Sequence, residues 1–186
     1  KFRLITFLIA LLLIVGLTLS SDKLSNRMIK GPVQSMGLVK NAQSKNIFTP
    51  SHDSLIKTAF NMFKDKPILG HGPKMFRKIC SNEKYATGIS ACMTHPHNFY
   101  VQLLAETGII GFLFLLISFF YVLYCGFMQL KSILFKKKKF LTDYQVCLLA
   151  GILITVWPFA PNGNFFHNWL MITYSLPVGF YLQSIY

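Results

Sequence analysis

From Phe2 to Leu19 the chain is apolar except at Arg3, Thr6, Gly16 and Thr18, close to the roughly 20 residues that cross a bilayer as a helix. A secretory signal has a shorter apolar core, about 7–15 residues, so this run predicts a membrane helix. Residues 21–95 turn polar, with no run long enough to span. As far as Ile47 the pattern is weakly periodic and predicts extended loop with one short helix. Thr49-Pro50 has the form of a helix start, Thr49 as N-cap and Pro50 at the first position. Leu55, Ala59, Met62 and Phe63 follow at helical spacing and predict an amphipathic helix ending before Pro67. Gly70-His71-Gly72-Pro73 predicts a tight turn, a short helix runs through Met75 and Phe76, and the remainder to His95 reads as loop.

Pro96 suits the first turn of a helix, so the next helix is expected to begin between Thr94 and Pro96, with His97 and Asn98 in its first turn. It runs on into an apolar stretch from Ile109 to Leu130. At about 100° per residue, Val101, Leu104, Gly108 and Gly111 lie within about 40° of the direction of His97, and Glu106 lies about 180° away. The two glycines predict an open face that another helix or a lipid-linked ligand can approach closely. Tyr144–Phe159 and Phe165–Leu182 predict two more spans, separated by the turn Asn162-Gly163-Asn164. The expected fold is an all-α, polytopic integral membrane protein. Its helices occupy residues 2–20, 96–130, 144–160 and 165–183, with a mainly helical outer region at 21–95 and a basic connection at 131–143.

Composition sharpens this. The chain is 53% hydrophobic, holds 18 phenylalanines and has a net charge of +13, a combination that fits apolar spans joined by basic loops. No nucleic-acid motif accompanies the lysines, so the lipid bilayer is the expected partner and nucleic acid is not. Lys131 and Lys136 to Lys139 mark a cytoplasmic connection, and alternation then places 21–95 and 162–164 outside. The chain starts at Lys1 and is expected to be the C-terminal portion of a longer protein. Cys80 and Cys92 share the outer region, where an oxidising compartment would let them pair. Cys125 and Cys147 read as packing residues within spans. His71 and His95 are also in the outer region, but neither is aimed at the face of His97, and no His-Glu-x-x-His or Cys-x-x-Cys spacing predicts a metal. No P-loop, dinucleotide fingerprint or Gly-x-Ser-x-Gly elbow is present, and no cofactor is expected.

His97-Asn98, nine residues, Gly108, two residues and Gly111 resemble the signature of the O-antigen ligase and polymerase superfamily. Pro67-Ile-Leu-Gly70-His71-Gly72-Pro73, the tripeptide Ala105-Glu106-Thr107 and the segment Pro161–Trp169 are similar to other parts of the family pattern, so the resemblance covers residues from about 50 to 182. It implies a membrane glycosyltransferase of the inner membrane that moves a glycan from an undecaprenyl-pyrophosphate-linked donor to an acceptor at the periplasmic face, without metal. The implied acceptor is the lipid A-core of lipopolysaccharide. A polysaccharide polymerase or a protein O-oligosaccharyltransferase is the nearest alternative, and a non-catalytic assembly partner is one of a different class. The resemblance makes His97 the catalytic residue acting on the acceptor hydroxyl, oriented by Asn98. Lys57, Lys74, Arg77 and the helix starts near Thr49 and Pro73 are candidates for the pyrophosphate. Gly108 and Gly111 are candidates for close approach of the substrate. Where members carry an arginine about fifteen residues before the position of Pro67, this chain has His52, a group charged only part of the time near neutrality.

Overall fold

The computed structural model describes residues 2–38 and 48–185. Among them all regular structure is helical, arranged in two compact units, Lys1–Asp53 and Ser54–Tyr186.

The first unit opens with α1, Phe2–Ser20. Its late hydroxyls are satisfied within the helix, Thr18 donating to Ile14 O and Ser20 to Gly16 O, both at 2.7 Å, as apolar surroundings require of a polar side chain. Ser21 caps α2, Asp22–Ser25, by accepting from Leu24 N–H. A π-helical turn, Asn26–Lys30, leads directly into α3, Gly31–Ser35. Residues 22–35 are therefore helical over more than the one short helix expected before Ile47. Gly31-Pro32 reads as a breaker, but the wide π turn accommodates it: Gly31 N–H reaches back to Asn26 O before the proline removes a donor. The helical run 22–35 is bent by 100° from α1. Residues 39–47, part of the expected loop, lie outside the described residues. The unit closes on Thr49, whose carbonyl accepts the first helical bond from Asp53 N–H at 2.9 Å.

α4 (Pro50–Asp65) starts in the last residues of the first unit, and its part in the second buries Leu55, Ala59 and Met62 against Phe76, Cys80, Tyr85 and Ala105. Asp65 ends the helix and gathers the following loop. It accepts from the Lys84 ammonium and, at 2.7 Å, from Tyr85 OH. These bonds, that of Lys84 foremost, hold its carboxyl below the usual aspartate range. After α5, Phe76–Ile79, a Cys80–Cys92 disulfide closes a twelve-residue separation.

α6, Phe99–Leu134, is a helix long and apolar enough to cross a membrane. Its outward residues Phe114, Ile117, Phe120 and Phe127 are exposed, while Val122 and Cys125 are buried with Leu149 and Ile152 of α7 and Tyr181 of α8. At the far end Gln129 turns the chain back by accepting Leu141 N–H at 2.8 Å. α7, Asp143–Thr155, starts with a capping box of Thr142 and Gln145, and α8 covers Asn168–Gln183. The helix expected to reach Phe159 stops at Thr155, because Asn162 Nδ2 takes up the Thr155 carbonyl at 2.8 Å. At 13 and 16 residues, α7 and α8 measure about 20 and 24 Å, below the roughly 30 Å of a hydrocarbon core. Cys125 is buried as expected, but Cys147 is exposed on α7.

Candidate active site

The helix after His95 does not begin where Pro96 suggests. Asn98 is the N-cap, in extended conformation, and its side-chain oxygen accepts Val101 N–H at 3.1 Å. His97 precedes the helix in the left-handed region, with φ 56°. An asparagine able to cap outcompetes a proline able only to tolerate the first turn. The face predicted to unite His97 with Val101, Leu104, Gly108 and Gly111 therefore does not exist. A non-glycine residue in the left-handed region is held there at a cost of about 1–3 kcal/mol by its surroundings, and those surroundings are visible. Asn98 Nδ2 donates to Pro158 O at 2.6 Å, the His97 carbonyl accepts Asn162 N–H at 2.9 Å, and Tyr100 OH donates to Val156 O at 2.6 Å. The segment between α7 and α8 thus clasps the turn that presents His97, leaving its side chain half-exposed.

His95 lies beside it, the two rings 4.2 Å apart between centroids, which corrects the expectation that His95 is unrelated to His97. Its Nε2 is 3.3 Å from Asn162 O and its Nδ1 2.9 Å from Thr94 Oγ1. The carbonyl partner requires Nε2 to carry the hydrogen. Burial, and then the neighbouring His97, push the His95 imidazole below its ordinary value, favouring the neutral form.

Gly108 is filled by the chain itself. Its φ of 65° and ψ of −160° interrupt α6 in a region essentially reserved for glycine. The interruption frees the carbonyls of Ala105 and Glu106, which accept His71 N–H at 3.1 Å and Gly72 N–H at 2.8 Å, while Ile109 N–H donates to Pro67 O at 2.8 Å. A Cβ on Gly108 would collide with the Ile68 carbonyl and come within 2.7 Å of Pro67 O. One on Gly70, with φ 66°, would lie 2.6 Å from Glu106 O. The open face expected for a partner helix or lipid-linked ligand is thus occupied by Pro67–Gly72. At Gly111 the space is taken by Thr107, whose Cβ would be 2.7 Å from the added carbon.

Four residues to which the sequence assigns no functional role tie these parts together. Gln102, fully buried, donates from Nε2 to Glu106 Oε2 at 3.0 Å and to Asn164 Oδ1 at 2.8 Å, and accepts Phe165 N–H at 2.9 Å. Glu106, also buried, accepts Phe76 N–H on Oε1 at 2.8 Å. Asn162 and Asn164 complete the set. The available signals were the i, i+4 spacing of Gln102 and Glu106 in an otherwise apolar stretch, and two asparagines flanking Gly163.

The expected cations are placed less tightly. Lys57 and Arg77 are exposed, and Lys74 is half-buried with φ 62°. The helix start near Pro73 offers less than expected: α5 begins at Phe76, and the Phe76 N–H is already taken by Glu106. His52 belongs to the first unit, in the first turn of α4, its Nδ1 3.1 Å from Thr49 Oγ1. An apolar cavity of about 540 Å³ lies between α6, α7 and α8, lined at one end by Phe99 and Phe165.

A helical chain with an apolar, membrane-length element, and with two imidazoles and four amides gathered where that element begins, has the form of a membrane-associated protein with a polar cluster at one end. Residues 1–116 match the sequence pattern of the O-antigen ligase family, and the chain belongs to that family. No curated protein and no solved structure matches it. The matched region includes His97, Asn98, Gly108 and Gly111 and stops short of Asn162 and Asn164. Membership makes the protein an O-antigen ligase-like, glycosyltransferase-type enzyme that is membrane-associated and acts on lipid-linked glycans.

Proposed function

We propose that this protein transfers a glycan from undecaprenyl pyrophosphate to lipid A-core, as a metal-independent step of lipopolysaccharide synthesis at the periplasmic face of the bacterial inner membrane. His97 accepts the proton of the acceptor hydroxyl as that oxygen attacks C1 of the donor sugar. The new C1–O bond forms, the bond from C1 to pyrophosphate breaks, and the carrier leaves as the pyrophosphate anion. An imidazole suits this role because a base that titrates near the working pH combines availability with driving force. Pyrophosphate leaves readily, so no acid is needed on that side. Lys57, Lys74 and Arg77 are the groups offered to the anion, and Asn98 orients the turn. In this reading residues 2–20, 144–160 and 165–183 span the bilayer, 96–130 form the helix that enters and then spans it, 21–95 face the periplasm and 131–143 the cytoplasm. The apolar cavity beyond Phe99 and Phe165 receives part of the isoprenoid chain.

The observation that carries the reading is the presentation of His97: a half-exposed imidazole on a residue whose backbone is left-handed and whose carbonyl accepts Asn162 N–H, at the polar end of a membrane-length helix. The test uses full-length protein in nanodiscs with carrier-linked glycan and either lipid A-core or a second carrier-linked glycan as acceptor. Transfer to lipid A-core by the wild type and a fall of about 10²–10⁴-fold in His97→Ala, with membrane insertion unchanged, is the expected result. Near-normal turnover by His97→Ala at saturating substrates refutes the base assignment. Transfer only to the carrier-linked acceptor makes the protein a polymerase.

A further inference from the structure

The signature residues leave unexplained a buried carboxyl group inside α6. Glu106 is 1% exposed and Gln102, one turn earlier, 0%, yet neither touches solvent, a cation or His97 in the contacts above. Every polar atom of the two side chains is nonetheless used. Glu106 meets two donors, Phe76 N–H at Oε1 and Gln102 Nε2 at Oε2. The Gln102 amide is fixed in one orientation, because its nitrogen faces two oxygens, of Glu106 and Asn164, and its oxygen faces Phe165 N–H. A flip would set oxygen against oxygen and N–H against N–H. The chain of bonds runs from Phe76, flanked in sequence by Lys74 and Arg77, through Glu106 and Gln102, to Asn164 and Phe165. Two residues before Asn164, Asn162 holds the carbonyl of His97.

We infer that Glu106 and Gln102 form a positioning pair that couples the basic Pro73–Lys78 loop to the Asn162–Phe165 segment, so that the anion-facing side of the site and the turn carrying His97 adopt their working geometry together. This rests on the proposed transferase reading. The pair does no chemistry itself. Its requirement is specific: position 106 must accept at both atoms. Glutamine has the same size but turns an NH2 toward one of the two donors, and that end of the chain of bonds is then lost while the packing is kept. A buried network whose members are all satisfied is the kind that fixes one arrangement of its surroundings.

The test is a double-mutant cycle on full-length protein in nanodiscs, with Glu106→Gln at one end and Asn164→Ala at the other. Each variant is checked for membrane insertion and for a closed Cys80–Cys92 bridge, and kcat/KM is measured with carrier-linked donor. The two positions do not touch each other directly in the contacts above, and independent roles would multiply their effects. Coupling predicts instead that each single change lowers kcat/KM by roughly tenfold and the double change by little more than either, against about a hundredfold for independent sites. Gln102→Leu, which removes the link between them, should match the double variant. Multiplicative losses, or single variants with wild-type kcat/KM, overturn the inference while leaving the transferase reading intact. A Glu106→Gln protein that fails to insert shifts the cycle to Glu106→Met with Asn164→Ala, again two positions that do not touch in the contacts above, judged by the same rule. No transfer by the wild type to either acceptor overturns the reading and the inference together.

Discussion

Replacing Gly108 by alanine should damage this protein far more than the same change at any other glycine of α6. Alanine has to enter a backbone region that only glycine populates comfortably, at about 1–3 kcal/mol. Its methyl also meets the Ile68 carbonyl, so Pro67–Gly72 must withdraw and give up the bond from Ile109 N–H to Pro67 O, a further cost of about 1–3 kcal/mol. The sum, about 2–6 kcal/mol, falls on the docking of one loop and should appear as local opening. Lys74, Arg77 and Lys78 place tryptic sites in or beside that loop. Limited proteolysis in nanodiscs, with opening fast relative to cleavage, should therefore accelerate by at least about 30-fold, the factor for 2 kcal/mol. Gly126 provides the control: nothing lies within 4 Å of an added Cβ there, and alanine in a helix interior is favoured over glycine by about 0.5–1 kcal/mol. Gly111→Ala should fall between, since its obstacle is the Thr107 side chain, at present bonded to Leu103 O at 2.9 Å. If Gly108→Ala is cleaved no faster than Gly126→Ala, the docking of Pro67–Gly72 into the helix break is wrong.

Three further outcomes follow from the site and its surroundings. Because burial and His97 hold the His95 imidazole below its ordinary 6.5, the folded state binds fewer protons than the unfolded chain just under that pH; its contribution to stability should be complete above about 6.5 and decline as pH falls, a dependence that thermal melts of His95→Gln should lack. Serine at Cys80 or Cys92 should cost about 2–3 kcal/mol through the loss of a short cross-linked loop, and in the wild type a membrane-impermeant thiol reagent should label these cysteines only after reduction. A reporter fused after Lys139 should read cytoplasmic and one at Ser90 periplasmic; the reverse would put His97 in the wrong compartment.

The parts of the structure decided by near neighbours could be read in the sequence. Thr49-Pro50 opens α4, and Leu55, Ala59 and Met62 form its buried stripe, because periodicity and caps act within a turn or two. The reading failed where two local signals competed or where the partner was distant. Pro96 and Asn98 both advertise a helix start, and the one that supplies a hydrogen bond prevailed, which moved His97 out of the helix. Gly108 is a point of close backbone approach, but not the open face that its spacing suggests: the approaching chain is Pro67–Gly72, about forty residues upstream, and spacing alone does not name it. The asparagines around Gly163 read as turn formers; their value to His97 depends on a fold-back that no local pattern encodes. In the first unit the helical run 22–35 was hidden because its polar residues and Gly31-Pro32 suggest loop, while the π turn that reconciles them leaves no signature.

The clasp on His97 also sets a schedule. Its components are made in a fixed order as the chain is synthesised: first the segment Pro67–Gly72, then the cysteine pair, then the break at Gly108 that receives that segment, and last, after α7, the stretch from Asn162 to Phe165. Until that stretch is in place, the His97 carbonyl and the Asn98 amide lack the partners that it supplies. A protein truncated after Thr155 would carry every residue of the family signature and still lack a seated histidine. On the proposed reading the newly made chain is silent until the Asn162–Phe165 stretch reaches His97, so molecules made only that far should not compete for carrier-linked glycan they cannot use. Stalled chains of increasing length, assayed for transfer, should switch on only once Phe165 has cleared the membrane.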